Sequence, residues 1–267
     1  MFLLIPPEFW AVCFFILGLI LGSFFNVCIW RIPRDQSIVK PPSHCPACNR
    51  DIKWYDNIPL VSYIILRGKC RACGERISIR YPAIELASGI LIAYTYWHFG
   101  FSPFLPFALI YISFMIIMFV IDLEHFILPD RFTLTLIPIG FISSFFREDF
   151  SWKDSLLGML AGGGLIALFS IFYYLYKRKV GMGGGDIKLM AAVGAYLGAK
   201  LALLSIVIGS VGGVLVMLPI MAIRKKKMDT MLPFGPFLTI AAVICLFWGE
   251  EIFTWWMEHP IIDLSVD

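Results

Sequence analysis

Apolar runs long enough to cross a bilayer recur along almost the whole chain, and this repetition constrains the fold more than any single motif. A spanning helix needs about 20 apolar residues. Such stretches lie near 9–30, 82–98, 103–121, 132–147, 155–176, 187–199, 201–223 and 233–256. The sixth is short and rich in glycine, so seven to eight transmembrane helices are expected. With 59% hydrophobic and 15% charged residues, the chain is far more apolar than a soluble domain, where about a quarter of residues are charged. The expected fold class is an all-α polytopic membrane protein.

The distribution of charge says more than its sum. Ten of the 22 lysines and arginines lie between Arg31 and Arg80. Two more basic clusters are Lys177-Arg178-Lys179 and Arg224-Lys225-Lys226-Lys227. With eight spans, all three fall on one side together with Arg131. The positive-inside rule makes that side cytoplasmic and leaves both termini outside. Flanking apolar runs as they do, the clusters report topology and not a nucleic-acid surface. The first residues lack the basic region of a secretory signal, so 9–30 is expected to be a retained helix. Its end, Gly22-Ser23-Phe24-Phe25-Asn26, offers small residues for close packing and an amide that can bond a neighbouring helix.

Seven cysteines fall into two kinds. Cys13, Cys28 and Cys245 sit in apolar runs, as small buried hydrophobes do. Cys45, Cys48, Cys70 and Cys73 form two CxxC pairs inside the polar block 31–80. In a reducing compartment this arrangement suits a metal better than a disulfide. Four thiolates suit tetrahedral, structural zinc, although the 21 residues between the pairs run one beyond the usual spacing. His44 is expected to be a bystander. The fold class thus gains a small cytoplasmic zinc-binding loop domain, and the chain divides into a first helix (1–30), that loop domain (31–80) and a membrane domain (81–267). Glu85, in Tyr81-Pro82-Ala83-Ile84-Glu85-Leu86, is expected one turn into the second span, either stabilised by the helix dipole or acting beside the metal loop.

Two acids stand at the ends of apolar runs, where a carboxylate is costly and therefore a functional candidate. Asp122 follows an uncharged stretch from 108 to 121, and Asp186 closes Gly181-Met182-Gly183-Gly184-Gly185-Asp186. Near Asp122, Asp130 is expected to cap the next helix, and His125 to lie on the surface. The turn before Asp186 is not a phosphate loop, because no Gly-Lys-Ser/Thr follows it. Gly183, Gly184 and Gly185 can leave backbone open for an extended peptide to pair as an added strand, and Lys188 can reach water beside them. Gly162-Gly163-Gly164 is expected to permit close helix approach. Met231-Leu232-Pro233-Phe234-Gly235-Pro236-Phe237 reads as a rigid, non-helical break.

Two adjacent carboxylates cannot both ionise cheaply, so such a pair shares one proton. One member can then take a proton from water while the other donates to an amide, which is the chemistry of an aspartic protease. No serine or cysteine has a credible histidine partner, and no HExxH is present. The competing class is a proton- or ion-coupled transporter with a zinc-stabilised loop, which also uses membrane carboxylates. The lack of an evident inverted repeat weakens that reading.

Read as GxGD, Gly183 to Asp186 carries the motif of intramembrane aspartyl proteases. With Lys188-Leu189 after it, the chain more closely resembles the bacterial prepilin peptidases, the type IV leader peptidase family. GSFFNVCIWRIP at 22–33, both CxxC pairs, YPAIEL at 81–86, DLEHFILPD at 122–130 and PFGPF at 233–237 match that family in order. The metal loop separates the chain from archaeal preflagellin peptidases, which generally lack it. The resemblance implies a bifunctional enzyme of the bacterial inner membrane, with Asp122 and Asp186 as its catalytic pair and zinc on the four cysteines. It implies cleavage of type IV prepilins or type II secretion pseudopilins at the cytoplasmic face, after glycine and before phenylalanine. It further implies N-methylation of the new terminus from S-adenosylmethionine, for which Asn26, Arg31 and Glu85 are the positions to test. The lipid bilayer is the other expected partner, with no nucleic acid.

Overall fold

A computed structural model of the chain describes residues 6–178, 183–224 and 234–259. Lys179, Gly181, Met182, Lys225 to Lys227, Pro233 and the tail beyond His259, on which some sequence expectations rest, lie outside them. Among the described residues eight α-helices follow in order: α1 (Pro7–Arg31), α2 (Val61–Ile65), α3 (Arg80–Phe99), α4 (Leu105–His125), α5 (Asp130–Ser143), α6 (Trp152–Lys177), α7 (Gly184–Arg224) and α8 (Gly235–Glu258). Among the described residues the β-structure is limited to two isolated bridges, His44 with Asp51 and Lys69 with Arg76. The protein is all-helical.

Within the described residues each apolar run found in the sequence falls mainly on an α-helix, that at 132–147 running past α5 into a short 3-10 helix, Ser144–Phe146. Among the described residues five helices are long and apolar enough to cross a membrane: α1, α4, α6, α7 and α8. The expected number of seven to eight is not confirmed by this count. The α5 helix has 14 residues and an internal Pro138. At 1.5 Å per residue that is about 21 Å, short of a hydrocarbon core about 30 Å thick. The runs at 187–199 and 201–223 fall on one element, α7, broken at Gly198 with φ 78° and ψ 174°. A side chain would strain that conformation, and the Phe150 ring occupies the place where a Cβ would point.

The chain divides into two compact units, Met1–Ile121 and Asp122–Asp267. In the first, α1 and α3 run antiparallel at very close range. A Cβ on Gly18 would lie 2.6 Å from the Ser88 carbonyl, and one on Gly22 would lie 2.7 Å from Glu85 Cα. Asn26 donates to the Tyr81 carbonyl of α3 at 3.2 Å, as its amide was expected to do. At the far end of the pair the rings of Phe14 and Tyr96 stack at 4.6 Å.

In the second unit α7 is the hub, packed by α5, α6 and α8. Small residues permit each approach. Gly163 of α6 lies against Ala191, and Gly140 of α5 lies against Tyr196. The triple glycine of α6 allows close packing at Gly162 and Gly163, whereas Gly164 faces open space. The tightest crossing is one the sequence did not single out, Gly158 against the backbone of Gly194. A capping box starts α6, with the Ser151 N–H donating to the Asp154 carboxylate at 2.9 Å.

Candidate functional site

Asp122 stands three residues from the end of α4, in the second unit. It is only 6% exposed, and its Oδ2 has no hydrogen-bond partner among the described residues. Its own helix is unhelpful, because a carboxylate near a helix C-terminus meets the negative end of the dipole. The start of α8 compensates. Gly235 is the first residue of that helix, and a Cβ there would lie 2.5 Å from Asp122 Oδ2. Only a glycine lets the positive end of α8 come so near the carboxylate.

Asp186 is the third residue of α7, so it too sits at a positive helix end. It is half-buried and lies near enough for its charge to act on Asp122. Leu128, in the turn between α4 and α5, ties the arrangement together. A Cβ on Gly185 would lie 2.8 Å from Leu128 Cβ, and one on Gly235 would lie 3.2 Å from Leu128 Cδ1. One leucine thus touches both glycines that flank the two acids. Gly183 and Gly184 are exposed beside Asp186, but the Gly183 carbonyl accepts the Asp186 N–H at 3.1 Å, and Gly184 and Gly185 are the first residues of α7 instead of an open strand-like stretch.

Several expectations need correction here. The position before α5 is held by Pro129, and Asp130 makes no side-chain cap. Its carboxylate instead receives the Lys188 ammonium at 2.7 and 2.8 Å. Lys188 therefore reaches the edge of the site already paired. His125 is partly buried rather than a surface residue, with Nε2 lacking a hydrogen-bond partner among the described residues. Phe234-Gly235-Pro236 is not a break: α8 begins inside it, with Pro236 in the first turn, where its missing N–H is harmless. Gly235 and Leu128 are the residues that sequence reasoning missed. Neither can titrate, so a search for charged pairs passes over them, although a glycine between prolines was a signal of close approach.

In the first unit the four cysteine sulfurs lie within 4.8 Å of one another. The two knuckles share one backbone pattern. Asn49 N–H donates to the Cys45 carbonyl at 2.8 Å, and Gly74 N–H to the Cys70 carbonyl at 2.9 Å. Both turn residues have positive φ, 53° and 74°. Backbone N–H groups of Cys73 and Ala72 lower the Cys70 thiol to about 7, which favours the thiolate. Four soft donors converging on one point could hold a metal ion such as zinc. His44 stays out of the cluster, with its Nδ1 at the Pro42 carbonyl.

The three remaining candidates lie along the α1–α3 seam. Asn26 is buried, Arg31 is 7% exposed, and Glu85 is buried. Glu85 lies beyond the first turn of α3, so the dipole reading fails. It accepts a hydrogen bond from the Leu60 N–H at 2.9 Å and thereby holds the loop to the helix.

Comparison with known proteins adds a family to this geometry. Residues 16–99 match the bacterial peptidase A24 N-terminal domain, and residues 109–218 match the type IV leader peptidase family. The chain is 38% identical to the prepilin leader peptidase/N-methyltransferase of Stutzerimonas stutzeri, over 94% of this chain and 95% of that protein. The protein of the same name from Legionella pneumophila is 36% identical, over 95% and 96% of the two chains.

The chain belongs to the type IV leader peptidase family.

A third relative, the prepilin leader peptidase/N-methyltransferase of Xanthomonas campestris pv. campestris, is 39% identical over 88% of this chain and 90% of its own. No solved structure matches. The protein is thus an enzyme of a peptidase family, built from helices of which five, among the described residues, can span a membrane. Both carboxylates and both flanking glycines fall in the second compact unit, and the cysteine cluster falls in the first.

Proposed function

We propose that the protein is a prepilin leader peptidase and N-methyltransferase, and that Asp122 and Asp186 are the catalytic pair of an aspartic endopeptidase. The observation that carries this reading is a buried Asp122 carboxyl, its Oδ2 without a hydrogen-bond partner among the described residues, within electrostatic reach of Asp186, each acid beside a helix N-terminus. Such a pair holds one proton between its members. The ionised member takes a proton from water, whose oxygen attacks the scissile carbonyl carbon. The protonated member gives its proton to the carbonyl oxygen, forming a gem-diol. Collapse of the diol breaks the C–N bond as the leaving nitrogen receives a proton, and the dyad returns to its starting state.

The scissile bond in this reading joins glycine to phenylalanine in a type IV prepilin or type II pseudopilin. Gly183, Gly184 and Gly185 contact the extended substrate, and Lys188 lies beside it. The work is done at the cytoplasmic face of the inner membrane, by seven to eight spans, and with eight both termini lie outside. Within the chain, 1–30 is the first helix, 31–80 the loop domain, and 81–267 the peptidase domain. Cys45, Cys48, Cys70 and Cys73 would hold zinc in a closed site that leaves no open position for catalysis.

S-adenosylmethionine, when bound, supplies an electrophilic methyl group for the new terminal amine. Arg31, with Asn26 and Glu85 behind it, would bind and orient that donor. The amine must reach it unprotonated, because only its lone pair can form the new N–C bond.

Detergent-purified protein incubated with a prepilin tests both activities. Asp122→Asn and Asp186→Asn should each reduce cleavage by about 100-fold or more, the usual share of a general acid or base, with helix content retained. A methyl-sized mass gain on the product, seen only with S-adenosylmethionine, establishes the second activity. Variants that cleave like the parent would remove the dyad.

A further inference from the structure

A cavity of about 500 Å³ opens in the first unit beside the end of α1. Its walls include Ser23, Phe24, Val27 and Arg31 from the helix, and Pro42 and Ile58 from the loop. The volume lies within the range of small-molecule sites, about 300–1,000 Å³.

Arg31 decides what the cavity can take. Its guanidinium donates to the carbonyl oxygens of Ser37 at 2.9 Å, Pro41 at 2.7 Å and Pro42 at 3.5 Å. Carbonyls satisfy N–H groups without neutralising charge. Among the described residues no carboxylate forms an ion pair with Arg31. A buried cation with no counter-charge is costly, and one lining a cavity can gain its counter-charge from a ligand. The acid on the same seam is already engaged, since Glu85 accepts the Leu60 N–H. The rest of the wall is a phenylalanine ring, branched aliphatic side chains, three prolines and the polar groups of Ser23, Ser43 and Asn57. That combination fits a molecule with a carboxylate at one end and a flat heterocycle at the other.

We propose that this cavity is the methyl-donor site, with Arg31 binding the donor's carboxylate. The inference rests on the methyltransferase reading above and assigns it a place. A lipid headgroup phosphate could satisfy the same cation, so the test must separate the two.

The experiment is isothermal titration of S-adenosylhomocysteine into the full-length, zinc-loaded protein in nanodiscs of zwitterionic lipid. The decarboxylated analogue should bind at least about tenfold more weakly, the value of a hydrogen bond to a charged group. Val27→Trp, which fills the cavity and leaves Arg31 anchored, should weaken S-adenosylhomocysteine at least about tenfold, with zinc content and melting temperature as checks on folding. Equal binding of the two ligands by the parent protein overturns the assignment and needs no variant. Equal binding by the parent and a folded Val27→Trp also overturns it. Binding that vanishes when phosphatidylglycerol replaces the zwitterionic lipid identifies a headgroup site, which overturns it too. A parent that binds no S-adenosylhomocysteine and adds no methyl to prepilin overturns the methyltransferase reading itself. A parent that methylates while failing one of the earlier comparisons loses only the site.

Discussion

At the scale of single residues, the proposed peptidase site depends on a side chain that is absent at Gly235. Gly235→Ala would put a methyl group 2.5 Å from Asp122 Oδ2. That contact involves helix backbone, so the carboxyl must turn away. A displacement of about 1 Å at a reacting group can cost about 100-fold in rate, and Gly235→Ala should therefore lower kcat by a similar factor while the melting temperature changes little. Cleavage kinetics and a thermal scan of the same preparation check both halves. Lys188 offers the opposite contrast. Its pair with Asp130 is exposed on both sides, 37% and 58%, so it contributes at most about 1 kcal/mol to stability. Lys188→Met should leave the melting temperature nearly unchanged. If Lys188 serves the substrate, KM should rise; if it only decorates the surface, the kinetics will not move.

At the scale of elements, helix contacts in the second unit run through glycine, and their energetics follow from what a Cβ would meet. Gly158→Ala must push α6 away from the backbone of Gly194. Overpacking of that kind costs about 1–3 kcal/mol. Gly164→Ala, two turns along the same helix, meets nothing within 4 Å and should be neutral or stabilising by about 0.5–1 kcal/mol. Denaturation of the two variants in one detergent decides the point, and equal destabilisation would mean that α6 does not pack as described. These helices also mark how far the sequence could be read. Each apolar run falls mainly on a helix, because length and hydropathy are local properties. The acids at 122 and 186 were legible for the same reason, as charges placed where charge is costly. What stayed hidden depends on distant partners. The Gly158–Gly194 crossing joins residues of equally small size, and nothing local distinguishes Gly158 from Gly164. Asp130 carried the local pattern of a cap, yet a lysine 58 residues away claimed its carboxylate.

For the whole molecule, the number of crossings determines which side of the membrane each loop occupies. Among the described residues five helices can cross on length and composition, while α3 carries Arg80, Glu85 and His98, and α5 is short. If these two and both halves of α7 cross, the count is eight and the termini share the outer side. If either α3 or α5 fails to cross, the parity changes and the two ends lie on opposite sides. By the positive-inside rule the basic residues between Arg31 and Arg80 would hold that loop inside in either case, so the C-terminal end is the informative one. Alkaline phosphatase fused after Glu258 should therefore be active, and it should be inactive when fused after Arg178. The loop itself can be located through the metal proposed for its four cysteines. Four thiolates holding zinc would stabilise a segment that has little core of its own, so trypsin should leave it intact in inverted vesicles until a chelator is added, and then cut among Arg50, Lys53, Arg67 and Lys69. Right-side-out vesicles should give no such cuts with or without chelator. Cuts from the outside would reverse the orientation, and with it the cytoplasmic assignment of the peptidase site.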